Sequence, residues 1–278
     1  MSRMVQALRE HWPEYLMEAT LLGLFMVSAG VFGTLLEYPN SPVHQAIGDP
    51  LVRRALMGIL MGLTAMALIY SPWGQQSGAH FNPAVTLTFL RLGKVAAWDA
   101  LFYIIAQFLG GLAGVLFVKA ILDFRFAQPP VTYVATVPGP AGEWIAFVAE
   151  VVISFGLMMM VLFTTNSRQL HRYTGVFAGI LVAAYITIEA PFSGMSMNPA
   201  RTFASALPSG LVSLLWIYFT APVLGMLSAV EVYRAVRKTY TVVCAKLNHH
   251  TTRRCIFSHC LYQQMLSSET KSEERSTS

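Results

Sequence analysis

The residues best placed for chemistry lie in two short polar stretches, each built around the triplet Asn-Pro-Ala. One triplet starts at Asn82 and the other at Asn198, and each follows a glycine and precedes an apolar run. Asn is a strong helix N-cap and Pro is favoured at the first helical position, so each triplet predicts the start of a helix. Each Asn would then offer amide N–H groups beside the positive end of a helix dipole. The chemistry that these residues could perform is therefore hydrogen bonding and the repulsion of cations.

Two acidic side chains lie inside apolar runs, where a charge is costly. Glu18 is the one charged residue in the run 15–36, and Glu150 lies in the run 144–165. An ionisable group at membrane depth is a candidate for function, and a proton relay is one interpretation. The other is structural, with each carboxylate accepting backbone N–H groups of a polar loop. Neither acid has a neighbouring nucleophile or base, so the sequence predicts no enzyme.

Metal-capable side chains are concentrated in the C-terminal tail, residues 239–278. All three cysteines of the chain lie there, together with histidines, in the order Cys244, His249, His250, Cys255, His259 and Cys260. Their spacing matches no regular zinc module, so the sequence favours a disordered polar tail without a metal or any other cofactor. The Ser/Thr-rich end, 267–278, offers phosphorylation sites of a regulatory kind.

The composition indicates a protein with several membrane spans. Of the 278 residues, 55% are hydrophobic and 12% are charged, against about 25% charged residues in soluble domains. The net charge of +5 comes from residues in short loops and at the ends, which argues against nucleic-acid binding. The polar residues 1–14 followed by a span-length apolar run predict no cleavable signal.

Six apolar runs are long enough to cross a bilayer, and two are too short. The long runs are 15–36, 51–70, 98–121, 144–165, 174–188 and 211–232, and the short runs, 82–92 and 198–207, begin at the triplets. A helix that begins at membrane depth is costly unless its free N–H groups line a watery cavity or are buried in protein. The order predicts an all-α membrane fold with six transmembrane helices and two re-entrant half-helices.

Each half has three spans, which is an odd number, so the second half must lie in the membrane in the opposite orientation to the first. The halves are predicted at about 14–122 and 143–238, within a membrane domain 14–238 that follows a leader, 1–13. Arg and Lys cluster before the first span, after the first half-length run, between the fourth and fifth spans and after the sixth. All four places lie on one side of this topology. The positive-inside rule makes that side cytoplasmic and predicts a plasma-membrane protein with both termini inside.

The two polar stretches carry a family pattern. Ser-Gly-Ala-His-Phe-Asn-Pro-Ala at 77–84 and Ser-Gly-Met-Ser-Met-Asn-Pro-Ala-Arg at 193–201 resemble the signature loops of the major intrinsic protein family, the aquaporins and glycerol facilitators. The resemblance covers about residues 12–236, with an acid in the first and fourth spans. It implies a right-handed bundle whose half-helices meet end to end at the bilayer centre. Such chains usually assemble as a homotetramer in the lipid bilayer, with one pore per subunit.

The family fold gives each signature residue an expected place. The pore midplane would be formed by Asn82, Pro83, Ala84, Asn198, Pro199 and Ala200. A ladder of carbonyl groups would line one wall, from Gly78, Ala79, His80, Phe81, Gly194, Met195, Ser196 and Met197. Glu18 and Glu150 would brace these loops, and His80 is favoured as a packed neighbour of the ladder over a gate or proton sensor. The converging dipoles would repel cations and interrupt proton transfer along the water chain.

By resemblance, Arg201 stands at an outer constriction with three partners. Two of them align as Ile186 in the fifth span and Met195 before the second triplet. The third is Met61 or Gly62, because a one-residue insertion near 72–75 leaves the alignment open. Arg201 would supply donors and a fixed positive charge.

The residues that distinguish water-selective members of the family from other members do not all indicate the same permeating molecule. Water-selective members usually carry His at the position of Ile186, whereas Thr202, Ala206, Tyr218 and Phe219 resemble the aquaporin side of the family. The sequence predicts a passive water channel. The alternatives are a facilitator of another small neutral solute (glycerol, ammonia, hydrogen peroxide or a metalloid hydroxide) or a junctional or scaffold membrane protein.

Overall fold

The computed structural model describes residues 2–236, 242–249 and 253–262. Within them the secondary structure is helical. The α-helices in chain order are α1 (Arg3–Glu37), α2 (Pro42–Ala46), α3 (Pro50–Tyr70), α4 (Pro72–Ser77), α5 (Pro83–Arg91), α6 (Ala97–Leu122), α7 (Phe124–Ala127), α8 (Glu143–Thr165), α9 (Thr174–Ile188), α10 (Ala190–Ser193), α11 (Pro199–Ser209) and α12 (Leu215–Val236). Short 3-10 turns lie at Thr132–Val134 and His171–Tyr173.

Five described helices, α1, α3, α6, α8 and α12, are long and apolar enough to cross a membrane. The other predicted span corresponds to α9, which has 15 residues. A helix that crosses the bilayer core needs about 20 residues. The 3-10 turn His171–Tyr173 extends α9 at its start, and α9 packs along α3. The helix order agrees with the predicted fold of spans and half-helices.

The two halves repeat the same helix pairs. In the first half α1 packs along α6, and in the second α8 packs along α12. Small residues allow each close approach. A Cβ added at Gly114 of α6 would collide with the backbone of Gly23, and one added at Gly225 of α12 would collide with the backbone of Val151. The short helices cross between the halves, with α5 against α12 and α11 against α6.

The half-helices α5 and α11 begin where the triplets predict. The Asn82 Oδ1 atom accepts from the N–H of Ala84 at 2.9 Å. Asn198 Oδ1 accepts from the N–H groups of Ala200 and Arg201 at 3.1 and 3.2 Å. Both caps satisfy N–H groups that a helix start leaves without intrahelical partners.

The chain ends differ from their predicted form. The leader is no separate segment, because α1 begins at Arg3 and continues through Pro13 into the first span. The C-terminal tail is predicted to be disordered, but residues 242–249 and 253–262 pack against the bundle. These two segments are called the docked tail. The other residues of the predicted tail lie outside the described residues. Arg254 of the docked tail donates to the Glu10 carbonyl at 2.7 Å. The end of the bundle that carries this contact is called the terminal face, and the opposite end the loop face.

Candidate functional site

The first polar loop is held by a buried carboxylate in α1. Glu18 is fully buried. Its Oε1 atom accepts from Ser77 Oγ at 2.7 Å and from the N–H of His80 at 3.1 Å. Its Oε2 atom accepts from the N–H of Phe81 at 2.6 Å and from Gln107 Nε2 at 2.8 Å. All four donors point to the carboxylate, so Glu18 acts here as an anchor for the loop before α5.

The second polar loop repeats this arrangement in the other half. Glu150 is fully buried and accepts from Ser193 Oγ at 2.8 Å. It also accepts from the N–H groups of Ser196 and Met197 at 2.6 and 2.7 Å. The Tyr218 hydroxyl donates to the Ser193 carbonyl at 2.6 Å. The geometry therefore favours the structural interpretation of both acids over a proton relay.

The two braced loops contain non-glycine residues in backbone conformations that residues with a side chain rarely adopt. Ala79 and Phe81 have φ values of 58° and 29°, and Met195 and Met197 have 53° and 54°. A non-glycine residue held at positive φ costs of order 1–3 kcal/mol, and it persists only where surrounding contacts offset that cost. The carboxylate bonds to these loops supply that support.

The two Asn side chains link the loops across the boundary between the halves. Asn82 Nδ2 donates to the Met197 carbonyl at 2.7 Å, and Asn198 Nδ2 donates to the Phe81 carbonyl at 2.8 Å. Both Asn residues are 6% exposed. The starts of α5 and α11 consequently face each other, with each Asn capping its own helix and bonding the opposite loop.

Both Asn residues line a cavity of about 460 Å³. Its lining reaches from Glu37 and Arg54 at the loop face to Leu247 of the docked tail. The predicted pore residues in the lining are Met61, Ala79, His80, Phe81, Asn82, Ile186, Gly194, Met195, Ser196, Met197, Asn198 and Arg201. The predicted residues outside it are Gly62, Gly78, Pro83, Ala84, Pro199 and Ala200, and the two acids are outside it as well.

Four of the five predicted constriction residues line the same cavity as the Asn pair. Arg201, Ile186, Met195 and Met61 all line the cavity. The Nη1 atom of Arg201 is buried and has no hydrogen-bond partner among the described residues. Arg201, the only charged member of this set, therefore lines the cavity with a guanidinium that has one unpaired N–H donor.

The structure separates the two candidates for the third partner. Met61 lines the cavity and is 1% exposed. Gly62 lies outside the lining, and a Cβ there would collide with the carbonyl oxygen of Gly179 in α9. Gly62 is therefore a contact between helices, which corrects its inclusion in the constriction.

The docked tail reaches the terminal end of the cavity, a contact that no local signal in the sequence predicts. His80 Nε2 lies 2.8 Å from the Ala245 carbonyl oxygen, and the Leu247 N–H donates to the Gly78 carbonyl at 3.0 Å. The Phe257 ring stacks on the His80 ring with centroids 5.5 Å apart. His80 is thus a packed neighbour of the loop, and the tail is one of its partners. The Gly78 carbonyl, predicted for the ladder, is occupied by the tail.

Two buried lysines hold the turns of the docked tail. Lys94 Nζ donates to the His259 carbonyl at 2.7 Å, and Lys246 Nζ donates to the Arg254 carbonyl at 2.6 Å. Burial lowers the pKa of both lysines below the usual value, and the neighbouring cysteines act in the opposite direction. Both lysine side chains are therefore buried, with cysteines of the tail among their electrostatic neighbours.

Two Asn-capped half-helices that meet end to end around a cavity in a helical bundle define a membrane channel of the aquaporin class. Residues 1–233 match the family described as major intrinsic protein. The chain therefore belongs to the major intrinsic protein family. It is a multi-pass membrane protein of a channel family and not an enzyme.

Individual relatives agree with this assignment. The chain is 33% identical over 228 residues to "Aquaporin NIP2-3" of Zea mays, covering 81% of this chain and 73% of that protein. It is 37% identical over 182 residues to "Putative aquaporin NIP4-1" of Arabidopsis thaliana, covering 65% of this chain and spanning 62% of that relative's length. The X-ray structure of the aquaglyceroporin from Plasmodium falciparum shares the fold, with a TM-score of 0.67 and 18% identity over 82% of this chain and 97% of that one.

Proposed function

We propose that the chain is a passive water channel that excludes protons and ions. The observation that carries this proposal is the pair of bonds from Asn82 to Met197 and from Asn198 to Phe81. A carboxamide has two N–H groups, so each Asn keeps one for a passing molecule. A water oxygen that accepts from both amides cannot pass a proton onward through the same site.

Electrostatics and lining support the same permeant class. The positive ends of the α5 and α11 dipoles meet beside the two Asn residues and disfavour cations. Arg201 adds a second positive charge toward the loop face. The remaining lining is mostly apolar, so a permeating ion would lose hydration without recovering it. The permeant must therefore be small, neutral and able to form hydrogen bonds.

A second candidate is a facilitator of a small neutral solute such as glycerol. Three of the four constriction side chains, Ile186, Met195 and Met61, are apolar. Apolar side chains tolerate the CH groups of a polyol, while Arg201 and the loop carbonyls can bond its hydroxyl groups. A hydrogen-bonding side chain at the position of Ile186 would disfavour such a molecule.

Stopped-flow light scattering on proteoliposomes distinguishes the two candidates. Fast shrinkage in an impermeant osmolyte without re-swelling in glycerol would establish the water channel. Re-swelling in glycerol would favour the second candidate. A correctly inserted chain that shows neither response would overturn both and favour a junctional or scaffold role.

We further propose that the terminal face is cytoplasmic in the plasma membrane and that four copies form a homotetramer. The clusters of Arg and Lys between the spans support this orientation. Protease access to the tail in sealed right-side-out vesicles tests it, since cleavage from outside would reverse the assignment. The mass of the assembled protein in detergent, measured by light scattering, tests whether four copies associate.

A further inference from the structure

Four metal-capable side chains of the docked tail point at one another. The ligand atoms of Cys244, His249, Cys255 and Cys260 all lie within 4.8 Å of one another. Cys244 Sγ is 3.5 Å from Cys255 Sγ, and Cys260 Sγ is 3.2 Å from His249 Nε2. Four ligand atoms around a tetrahedral zinc ion lie roughly 3.4 to 3.8 Å apart, given the usual Zn–S and Zn–N bond lengths. We propose that these residues form a zinc site that fixes the docked tail in the terminal mouth of the pore.

The donor set matches this metal. Three cysteine sulfurs and one imidazole nitrogen are a recurrent ligand set of structural zinc sites. All three cysteines are free, so none is already bonded in a disulfide. Cysteine binds the metal as thiolate, so binding releases the thiol protons. Soft sulfur ligands in a tetrahedral arrangement exclude calcium and magnesium, which take oxygen ligands.

The charge around the cluster fits a loaded site. Three thiolates and one Zn²⁺ carry a net charge of −1. Lys246 is 2% exposed and Lys94 is 8% exposed. They bond the carbonyls of Arg254 and His259, the residues immediately before Cys255 and Cys260. The lysines therefore fix the two turns that carry Cys255 and Cys260 and bring ammonium groups near these ligands.

A zinc ion would link the two segments of the docked tail. Residues 242–249 and 253–261 contain no helix or strand. Metal binding can supply the free energy that orders a segment where regular secondary structure does not. A zinc ion bound by Cys244 and His249 on one segment and by Cys255 and Cys260 on the other would join both into a single unit.

The segments between the ligands make the contacts with the pore. Ala245 and Leu247, between Cys244 and His249, bond His80 and Gly78. Leu247 also lines the cavity. Phe257, between the other two ligands, stacks on His80. Metal binding and the position of the tail in the pore mouth are thereby coupled, and the consequence for flux rests on the proposed channel function.

Metal content tests the site independently of transport. The full-length chain is purified in detergent under nitrogen with a phosphine reductant, and zinc is measured by elemental mass spectrometry. We expect one zinc per chain and, after exchange, the visible absorption of tetrahedral cobalt with thiolate ligands. Cys244→Ser and Cys260→Ser should lose both signals. His259→Asn is the matched control, because His259 is exposed in the same segment and has a φ of 51°, which Asn tolerates.

Two results would overturn the site. One is a wild-type chain that retains no zinc at micromolar free metal. The other is an intact mass that shows a disulfide between cysteines of the tail under these reducing conditions. Equal metal retention by wild type, Cys244→Ser and Cys260→Ser would also overturn it, since the metal would then be bound elsewhere.

Flux tests the coupling to the pore. Water permeability is compared in proteoliposomes of zinc-loaded and chelator-stripped chain, with zinc or chelator present on both sides of the membrane. We expect stripping to raise permeability several-fold in wild type and in His259→Asn, and zinc to have no effect on Cys244→Ser. Unchanged flux with confirmed zinc loss would overturn the coupling while leaving the site. Zinc bound by a chain with no flux in either state would overturn the proposed channel function instead.

Discussion

The carboxamide of Asn82 donates a hydrogen bond of 2.7 Å to the carbonyl oxygen of Met197, which belongs to the opposite half of the chain. The same carboxamide caps its own half-helix through Oδ1. One side chain therefore starts a helix and fixes the position of that start against the other half. Asn198 does the same in reverse.

Asn198→Asp should impair permeation. The carboxylate can still cap α11, but it has no N–H for the Phe81 carbonyl and adds a negative charge beside the dipole ends. We expect water flux in proteoliposomes to fall toward that of protein-free vesicles. Asn40→Asp, at an exposed loop position, is the matched control. Normal flux with normal ion exclusion in Asn198→Asp would contradict the proposed midplane.

Glu150→Gln should destabilise the loop before α11. The amide keeps one acceptor oxygen and turns an NH₂ group toward donors, so buried N–H groups lose their partners at about 1–3 kcal/mol. We expect a lower thermal unfolding midpoint in detergent and reduced flux. Glu143→Gln lies in the same helix at an exposed position and should match wild type. Equal unfolding midpoints for the two variants would refute the bracing role.

Arg201→Val should relax the selectivity of the pore. The substitution removes the buried donor and the positive charge and opens space at the constriction. We expect faster passage of glycerol and a measurable cation leak in vesicle assays. Arg201→Lys keeps the charge without the planar fork and should leak fewer cations than Arg201→Val. Unchanged solute and ion selectivity in Arg201→Val would remove Arg201 from the constriction.

Met61 and Gly62 should respond differently to replacement by Ala. Met61→Ala enlarges the cavity, so we expect glycerol flux to rise. Gly62→Ala forces a Cβ against the Gly179 carbonyl, so we expect a lower unfolding midpoint. Gly48→Ala, where the added Cβ meets nothing within 4 Å, is the control for stability. A stable Gly62→Ala with altered selectivity would reverse the assignment of the two residues.

Much of the membrane fold could be predicted because its signals are local. The Asn and Pro of each triplet are direct helix-start signals, and the lone acids Glu18 and Glu150 lie in runs whose apolarity makes them conspicuous. The choice between Met61 and Gly62 could not be made because the length of the segment after α3 was ambiguous. That segment forms α4, which begins after Ser71 with Pro72 at its first position; this cap signal is present in the sequence.

The docked tail could not be predicted for a different reason. Its partners are distant in sequence, since Ala245 and His80 are 165 residues apart. The ligand spacing from Cys244 to Cys260 follows no standard module, and the segments lack the periodicity that indicates a helix or strand. Only the folded chain brings the four side chains together.

The most direct test of the proposed function is a simultaneous record of water and proton flux in the same proteoliposomes. Vesicles of chelator-stripped wild-type chain carry a pH-sensitive dye and receive an osmotic step together with a pH step. We expect water permeability well above that of protein-free vesicles and proton flux equal to theirs. Proton flux that rises with water flux, or water flux no faster than in protein-free vesicles, would contradict a water channel that excludes protons at the Asn pair.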